Sequence, residues 1–378
     1  MIYLYTLFLL LLGTMSTKSS SNEWIVPDHT KAFLCGELSA TASRLGIFVV
    51  QEGEKKPYKV RFFERPSTSE VADINNFIQD TLDQAKDHGI NITEACFSAA
   101  GFPWERTLMS THTKVKINAD DIAIKYNFQR VDVLNDFELA AYAIDLLPQE
   151  KIRILYDGGD KKEAQQQHAP RIIMGASTGL GLCVMYWDKT AQAYKTVGPA
   201  WGGGIEFSPY SIEELELQQH ILNSMNIAGL QKKATRWGGM LSSCHPSAGL
   251  RQIYQFYKNK AEGVTQCTLD VPTREYIVEY QKTDNCCAQA IEKYLELYAR
   301  CVRNFASATL PFGGIYIAGE FAALYSELFT EDFVRKAFFD LDNLAQMNGL
   351  ERFPVYIIME KDLTLLGAAN YLAITSES

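Results

Sequence analysis

The sequence has few features that would mark a metal-binding, nucleic-acid-binding or membrane-spanning protein. Its eight cysteines and six histidines form no C-x-x-C pair and no cluster with the spacing of zinc ligands. The net charge of −9 argues against nucleic acid as a partner, because binding to phosphate backbones needs clustered positive charge. Because the cysteines show no metal-binding pattern, we expect them to be reduced, apolar side chains of the core.

A strongly apolar stretch at residues 2–12 precedes a segment rich in Ser and Thr. It is shorter than the roughly 20 residues that span a bilayer. A signal peptide has Lys or Arg before its apolar stretch, and this sequence has neither there. Two interpretations stay open. Residues 1–14 are a signal or anchor of a secreted or membrane-anchored protein, or the protein is cytoplasmic and begins at Met15. We expect residues 1–30 to be a leader or a disordered N-terminus.

The rest of the chain has the composition of a globular protein, with 47% hydrophobic and 21% charged residues. A chain of 378 residues can form two domains, each with its own core. Three strands and then alternating helices and strands are predicted first, and this order restarts after a polar, Gln-rich stretch at residues 157–170. We expect a small α/β domain over residues 31–150, completed by a C-terminal helix at about 363–376, and a large α/β domain over residues 151–362.

Two local patterns predict where helices begin. Ser67-x-x-Glu70 has the spacing of a capping box, and the apolar residues that follow it repeat at helical spacing. Asn118 is expected to cap a short helix that carries Ile122.

Two further segments, about forty residues apart, carry side chains suited to phosphoryl transfer. Asn135 and Asp136 follow an apolar strand, and an aspartate at a strand end can accept a proton from a substrate hydroxyl. Residues 175–181 form a turn of Gly, Ser and Thr, in which glycine lets backbone N–H groups approach a phosphate. The structural alternatives are a helix N-cap for the first segment and a plain hairpin turn for the second.

Together with four other segments, these motifs resemble the bacterial-type glucokinase family over roughly residues 31–375. The resemblance implies an α/β fold of the two-domain actin-like ATPase (ribonuclease H-like) type, with a cleft between the domains. It also implies ATP-dependent phosphorylation of a hexose, from glucose to glucose 6-phosphate, which feeds glycolysis. The segments that carry it are residues 134–137, 175–181, 207–209, 249–250 with Tyr254, 313–319 and 365–368.

The resemblance also implies site residues, with ATP and Mg²⁺ as cofactors. Asp136 would be the catalytic base, and Glu37 the carboxylate near the metal. The expected partners are a small-molecule sugar and ATP, with no nucleic acid, and a homodimer is left open. The implied substrate-binding residues are Asn135, Thr111, Trp201, Gly203 and Gly204, and the implied nucleotide-binding residues are Gly36, Glu37, Thr41, Arg44, Gly175, Ser177, Thr178, Gly179, Gly319 and Glu320.

Several of these positions depart from the family's pattern. Glu37 stands for an aspartate, and Ser39 and Ala40 stand for two glycines near phosphate. Trp201 and Gly204 stand for the glutamate and histidine that hold hexose hydroxyls. Because loss of matched hydrogen bonds weakens sugar recognition, the alternative function is a catalytically impaired homologue that binds a nucleotide or sugar as a regulator. Ser177, Glu320 and Thr111 also differ from the family, which has Gly, Gly and Asn there.

Overall fold

The computed structural model describes residues 24, 30–39, 42–54, 56–111, 113–158, 168–176, 179–200, 202, 208–227, 248–261, 272–330, 332–333, 349, 351–360 and 363–376. These residues form a five-stranded sheet, a six-stranded sheet and a small three-stranded sheet, with helices between and around them. The first half of the chain runs β1 (Thr30–Leu38), β2 (Ala42–Gln51), β3 (Tyr58–Pro66), α1 (Val71–Asp87), β4 (Ile92–Ala99), β5 (Pro103–Trp104), β6 (Thr107–Met109), β7 (Lys116–Asn118), α2 (Ala119–Tyr126), β8 (Arg130–Asn135) and α3 (Asp136–Ala143).

The second half repeats this kind of order, and three short 3₁₀ helices join elements at Ile144–Leu146, Gln149–Lys151 and Ser326–Leu328. Its elements are β9 (Ile152–Tyr156), β10 (Arg171–Ala176), β11 (Leu180–Asp188), β12 (Ala193–Ala200), α4 (Ile212–Ile227), α5 (Ala248–Lys260), α6 (Arg274–Tyr280), α7 (Asn285–Thr309), β13 (Ile315–Ala318), α8 (Glu320–Leu324), β14 (Val355–Ile358) and α9 (Leu363–Thr375).

The two large sheets share one topology. The first has the order β3-β2-β1-β4-β8, and the second has the order β12-β11-β10-β13-β14-β9. In both, an antiparallel meander of three strands continues into parallel strands, since β1 and β10 are antiparallel to the next strand and parallel to the one on their other side. The duplicated α/β architecture expected from the restart of the pattern is therefore confirmed. Strand β9 adds an antiparallel edge to the second sheet.

Helix α3 belongs to two hydrophobic cores at once. Leu139 and Tyr142 pack with residues of the first sheet and of α9, whereas Ala140, Ala141 and Ala143 pack with residues of the second sheet. The helix is rich in alanine, and small side chains let both sheets approach its backbone. The two large sheets are thus held together through one short helix and its neighbour α9.

The predicted order of three strands followed by alternating helices and strands is confirmed in the described residues, as are the helix after Glu70, the short helix that carries Ile122 and the C-terminal helix. The structure adds β9, α6, α8 and the three-stranded sheet of β5, β6 and β7, which are short and have weak periodicity. Asn118 caps α2 as expected, and its side chain accepts a hydrogen bond from the Asp121 N–H. The limits of the small and large domains stay a prediction.

The capping box predicted at Ser67 and Glu70 is wrong. Helix α1 has Glu70 at its N-cap, without a side-chain capping hydrogen bond. The Ser67 hydroxyl instead donates to the carbonyl of Ser39, 28 residues earlier in the chain. A tertiary contact therefore takes the side chain that the local pattern assigned to the helix.

Most of the described cysteines agree with the expectation of reduced thiols. Five buried cysteines are free: Cys35, Cys96, Cys183, Cys287 and Cys301. Cys286 is disulfide-bonded, so the expectation is wrong for that residue.

Of the predicted leader or disordered N-terminus at residues 1–30, residues 1–23 and 25–29 lie outside the described residues, and Thr30 belongs to β1. No helix in the described ranges is long and apolar enough to cross a membrane.

Helix α9 crosses α3 with the two backbones in direct contact. A Cβ atom built on Gly367 would overlap the carbonyl oxygen of Leu139. Helix propensity alone predicts that alanine in place of this glycine stabilises the helix by about 1 kcal/mol. We expect the opposite: Gly367→Ala should lower the free energy of unfolding by about 2 kcal/mol, because the backbones must separate.

Chemical denaturation of the full chain measures this change. Gly349→Ala is the matched control, since a Cβ atom there meets no heavy atom within 4 Å. An equal or higher stability for Gly367→Ala would show that the two helices do not depend on this contact.

Candidate functional site

One side of the site is the edge where parallel strands β1, β4 and β8 end. The register places Glu37 of β1 beside Ser98 of β4, and Ala99 of β4 beside Asn135 of β8. Adjacent strands lie about 4.8 Å apart, so side chains from three strand ends share one edge. Ligands of open α/β sheets bind at such carboxyl ends.

Asn135 ends β8 and caps α3. Its Oδ1 accepts hydrogen bonds from the N–H groups of Phe137 (2.9 Å) and Glu138 (3.3 Å). An asparagine side chain that satisfies two N–H groups of the first turn is a helix N-cap. The Asn135 Nδ2 donates to the carbonyl of Gly101 at 2.9 Å. The N-cap alternative therefore describes Asn135 correctly, and one amide hydrogen stays available for a ligand.

Asp136 is the first residue of α3, and its carboxylate is half-buried. Its Oδ1 accepts a hydrogen bond from the Phe137 N–H at 3.0 Å. The N-terminus of a helix stabilises negative charge, so this position favours an ionised carboxylate. An ionised carboxylate is the form that can accept a proton.

Phe137 brings the second sheet to this carboxylate. A Cβ atom on Gly181 would overlap the Phe137 ring, and one on Gly175 would lie 2.9 Å from its Cζ. The ring therefore fills the space that two glycines leave at the ends of β10 and β11. This contact places Asp136 next to the hairpin that contains the glycine-rich turn.

The glycine-rich turn joins β10 to β11, whose register pairs Gly175 with Gly181 and Ala176 with Leu180. The hairpin alternative is therefore correct for the backbone. At Gly179 a Cβ atom would meet nothing within 4 Å, so packing does not require glycine there. A residue without a Cβ that faces open space suits the close approach of a ligand.

Parallel pairing places the end of β13 beside the end of β10, with Ala318 next to Gly175. Gly319 follows with a φ of 95°, a conformation that favours glycine. Glu320 forms an ion pair with Arg274 at 3.3 Å, and the arginine also contacts Glu275. The negative charge that replaces the family's glycine is thus paired with a positive one.

Glu37 and Arg44 face each other across β1 and β2 and form an ion pair at 3.3 Å. Arg44 also contacts Glu64 at 2.7 Å. Gly36 lies against Phe97, whose ring a Cβ atom would overlap, so packing alone explains this glycine. No group of three or more His, Cys, Asp or Glu side chains that could hold a metal was found in the described ranges.

Thr111, a predicted substrate-binding residue, is hydrogen-bonded within the protein. Its hydroxyl donates to the carbonyl of Ala100 at 2.9 Å, next to the Gly101 carbonyl that Asn135 binds. Gly202 is buried and lies beside Leu182, the residue that follows the glycine-rich turn in the sequence. The remaining site predictions lie outside the described residues: Thr41, Ser177, Thr178, Trp201, Gly203 and Gly204.

A buried polar network supports the first turn of α3. Thr196 of β12 donates to the Glu138 carboxylate at 2.9 Å, and the hydroxyls of Thr196 and Tyr142 lie 3.3 Å apart. Burial raises the pKa of Glu138, and its hydrogen bonds with Thr196 and the Asn135 N–H offset part of that rise. No sequence pattern pointed to Thr196, because its contact with Glu138 spans 58 positions.

Two sheets of this topology, joined by α3 with polar strand ends on both sides, define a two-domain protein of the actin-like ATPase fold. A sequence model of the family described as Glucokinase matches residues 34–375. The chain belongs to the glucokinase family.

Two curated relatives are both glucokinases at 25% identity. The protein from Synechocystis sp. aligns over 354 residues, which is 89% of this chain and 96% of the relative. The protein from Cronobacter sakazakii aligns over 351 residues, which is 92% of this chain and 98% of the relative.

Solved structures agree on the fold. The glucokinase from Balamuthia mandrillaris, in complex with glucose, has a TM-score of 0.72 at 16% identity and covers 94% of this chain and 95% of its own. The Leishmania braziliensis glucokinase has a TM-score of 0.72 at 16% identity, and the alignment covers 97% of this chain and 96% of that glucokinase.

The raised pKa of Glu138 gives a prediction about stability and pH. The folded state holds this proton more tightly than the unfolded state, so folding is increasingly opposed as pH rises above the ordinary carboxyl range. A glutamine side chain at this position would have no charge to bury and could still bond Thr196. We therefore expect Glu138→Gln to raise the Tm relative to wild type, with a difference that is small at about pH 5 and larger at about pH 8.

Thermal unfolding across this pH range tests the prediction, with the exposed Glu150→Gln as control. A difference that shrinks as pH rises would contradict it.

Proposed function

We propose that the protein is an ATP-dependent kinase that transfers the γ-phosphoryl group of ATP to glucose and forms glucose 6-phosphate. The observation that carries the proposal is the position of Asp136, at the first turn of α3 and against the glycine-rich hairpin. Family membership over residues 34–375 supports the same reaction.

In this proposal Asp136 accepts the proton of the attacking sugar hydroxyl. Phosphoryl transfer depends mostly on positioning and on stabilisation of charge, so the side chain must be held firmly. The Asn135 side chain caps the first turn of α3, and Phe137 fixes that turn against the second sheet. Asn135 can offer its remaining amide hydrogen to a sugar oxygen.

The phosphates of ATP would lie at the turn that contains Ser177, Thr178 and Gly179, where backbone N–H groups can bind them. Mg²⁺ usually takes one or two protein carboxylates and completes its shell with phosphate oxygens and water. Glu37 fits that requirement as the carboxylate on the facing sheet edge, although it also contacts Arg44. When bound, the metal neutralises charge on the phosphates.

Closure of two domains around the substrates would exclude water and protect ATP from hydrolysis. We propose that the moving bodies are residues 31–150 with α9 and residues 151–362. Because helix α3 packs on both sheets, we propose that the two bodies rotate about it. The sugar site would be completed by Trp201, Gly203 and Gly204. The cytoplasmic location and the homodimer remain predictions.

A coupled assay of ADP release tests the proposal. The full chain is given Mg-ATP with glucose, other hexoses or amino sugars, one at a time. We expect glucose-dependent turnover, and a fall in kcat of about 10²–10⁴ for Asp136→Asn, because the base is lost.

Asp121→Asn is the matched control, since Asp121 also lies in the first turn of a helix but is exposed. Turnover with another sugar alone would replace glucose as the acceptor. No turnover by folded protein with any sugar would refute the kinase and favour the alternative of a regulator that binds a nucleotide or sugar.

A further inference from the structure

A cavity lies at the end of α3 opposite Asp136. It has a volume of about 650 Å³, which is within the range of small-molecule sites. Asp145 and Leu146 line it just after α3, and Arg171 lines it at the start of β10, whose other end reaches the glycine-rich turn. Asp136 and Asp145 are separated by roughly 14 Å along the helix axis, so this rear cavity is distinct from the proposed active site.

The walls of the rear cavity are mostly aromatic. Tyr316 and Tyr356 stack with ring centres 4.9 Å apart, and Trp187 stacks on His168 at 3.8 Å. Tyr194 packs edge-on against Trp187. Aromatic walls with polar tips bind flat rings by stacking.

The charged residues of the cavity favour an anion. Lys56 and Arg171 are positive, and Asp145 is the one carboxylate among the described residues of the lining. Asp145 binds Nη1 of Arg171 at 2.6 Å, while the guanidinium lies 3.7 Å from the centre of the Tyr194 ring. The Arg171 Nε is buried and has no hydrogen-bond partner in the described part of the chain. A buried donor without an acceptor is unfavourable, so the guanidinium keeps hydrogen-bonding capacity that Asp145 does not use.

Both sheets contribute to the walls. Lys56 lies between β2 and β3 of the first sheet, whereas Arg171 and Trp187 belong to the second. Asn370 of α9 also lines the cavity and donates to the carbonyl of Tyr142 at 2.7 Å. A rotation of the sheets relative to each other would therefore change the shape of the cavity.

Tyr142 connects the cavity to the active-site end of α3. Its ring lines the cavity, and its hydroxyl contacts Thr196, which donates to Glu138. The Glu138 N–H in turn donates to Asn135 Oδ1, next to Asp136. Hydrogen bonds of Thr196 and Glu138 therefore connect Tyr142 with the N-cap residue that precedes the base of the proposed reaction.

We propose that the rear cavity is an effector site for a small anionic molecule with a flat ring, and that its occupancy is coupled to sugar binding. The ring stacks on the aromatic walls, and the anionic group binds Lys56 and the exposed part of the Arg171 guanidinium, whose side chain is 18% exposed. The binding part of this proposal is independent of the kinase activity, while the coupling part rests on the proposed function.

Fluorescence titration with 8-anilinonaphthalene-1-sulfonate, a flat sulfonate, tests the binding. We expect saturable binding to the full chain, and a Kd about tenfold higher for Lys56→Glu, which places a negative charge beside the anion. Ala373→Trp should abolish binding, because the indole would fill the space that Ala373 lines.

Lys59→Glu is the control, since Lys59 is exposed in the same hairpin but does not line the cavity. Equal binding by wild type, Lys56→Glu and Ala373→Trp would show that the probe binds elsewhere and would overturn the proposal.

The coupling is measured by repeating the titration with saturating glucose and no ATP. We expect the Kd of the probe to change about threefold or more, as two linked sites require. An unchanged Kd would overturn the coupling, and if glucose binding itself is absent by calorimetry, the fault lies with the proposed function and not with the cavity.

Discussion

The packing of Phe137 between Gly175 and Gly181 is the contact on which the rest of the site depends. It fixes the first turn of α3, and with it Asp136, against the hairpin of the second sheet. Because α3 also shares a core with the first sheet, the positions of both strand edges depend on one short helix. A larger residue at Gly181 would overlap the Phe137 ring, and one at Gly175 would first overlap the Ala318 carbonyl of β13.

The departures from the family's pattern look different once their neighbours are known. Glu37 is paired with Arg44, and Glu320 is paired with Arg274, so neither carboxylate is an unbalanced charge. Partly exposed pairs of this kind stabilise the fold little, but they reduce repulsion of phosphate. These substitutions therefore give no strong reason to exclude ATP.

The sequence predicted what local patterns determine, and missed what distant contacts determine. Asn118 caps its helix as expected, because the cap needs only the next three residues. Ser67 did not cap, because Ser39 takes its hydroxyl. The motif of Asn135 and Asp136 was found from its strand, but the contact of Glu138 with Thr196 could not be, since burial decides it. The actin-like fold came from the family resemblance and the repeated order of elements.

The most direct test of this account is the kcat/KM of Phe137→Ala for glucose, measured beside its circular dichroism spectrum. We expect a folded protein whose kcat/KM is reduced about tenfold or more, because a small shift of a positioned base is enough to slow phosphoryl transfer. An unchanged kcat/KM in the folded variant would contradict the claim that Phe137 holds Asp136 at the glycine-rich turn.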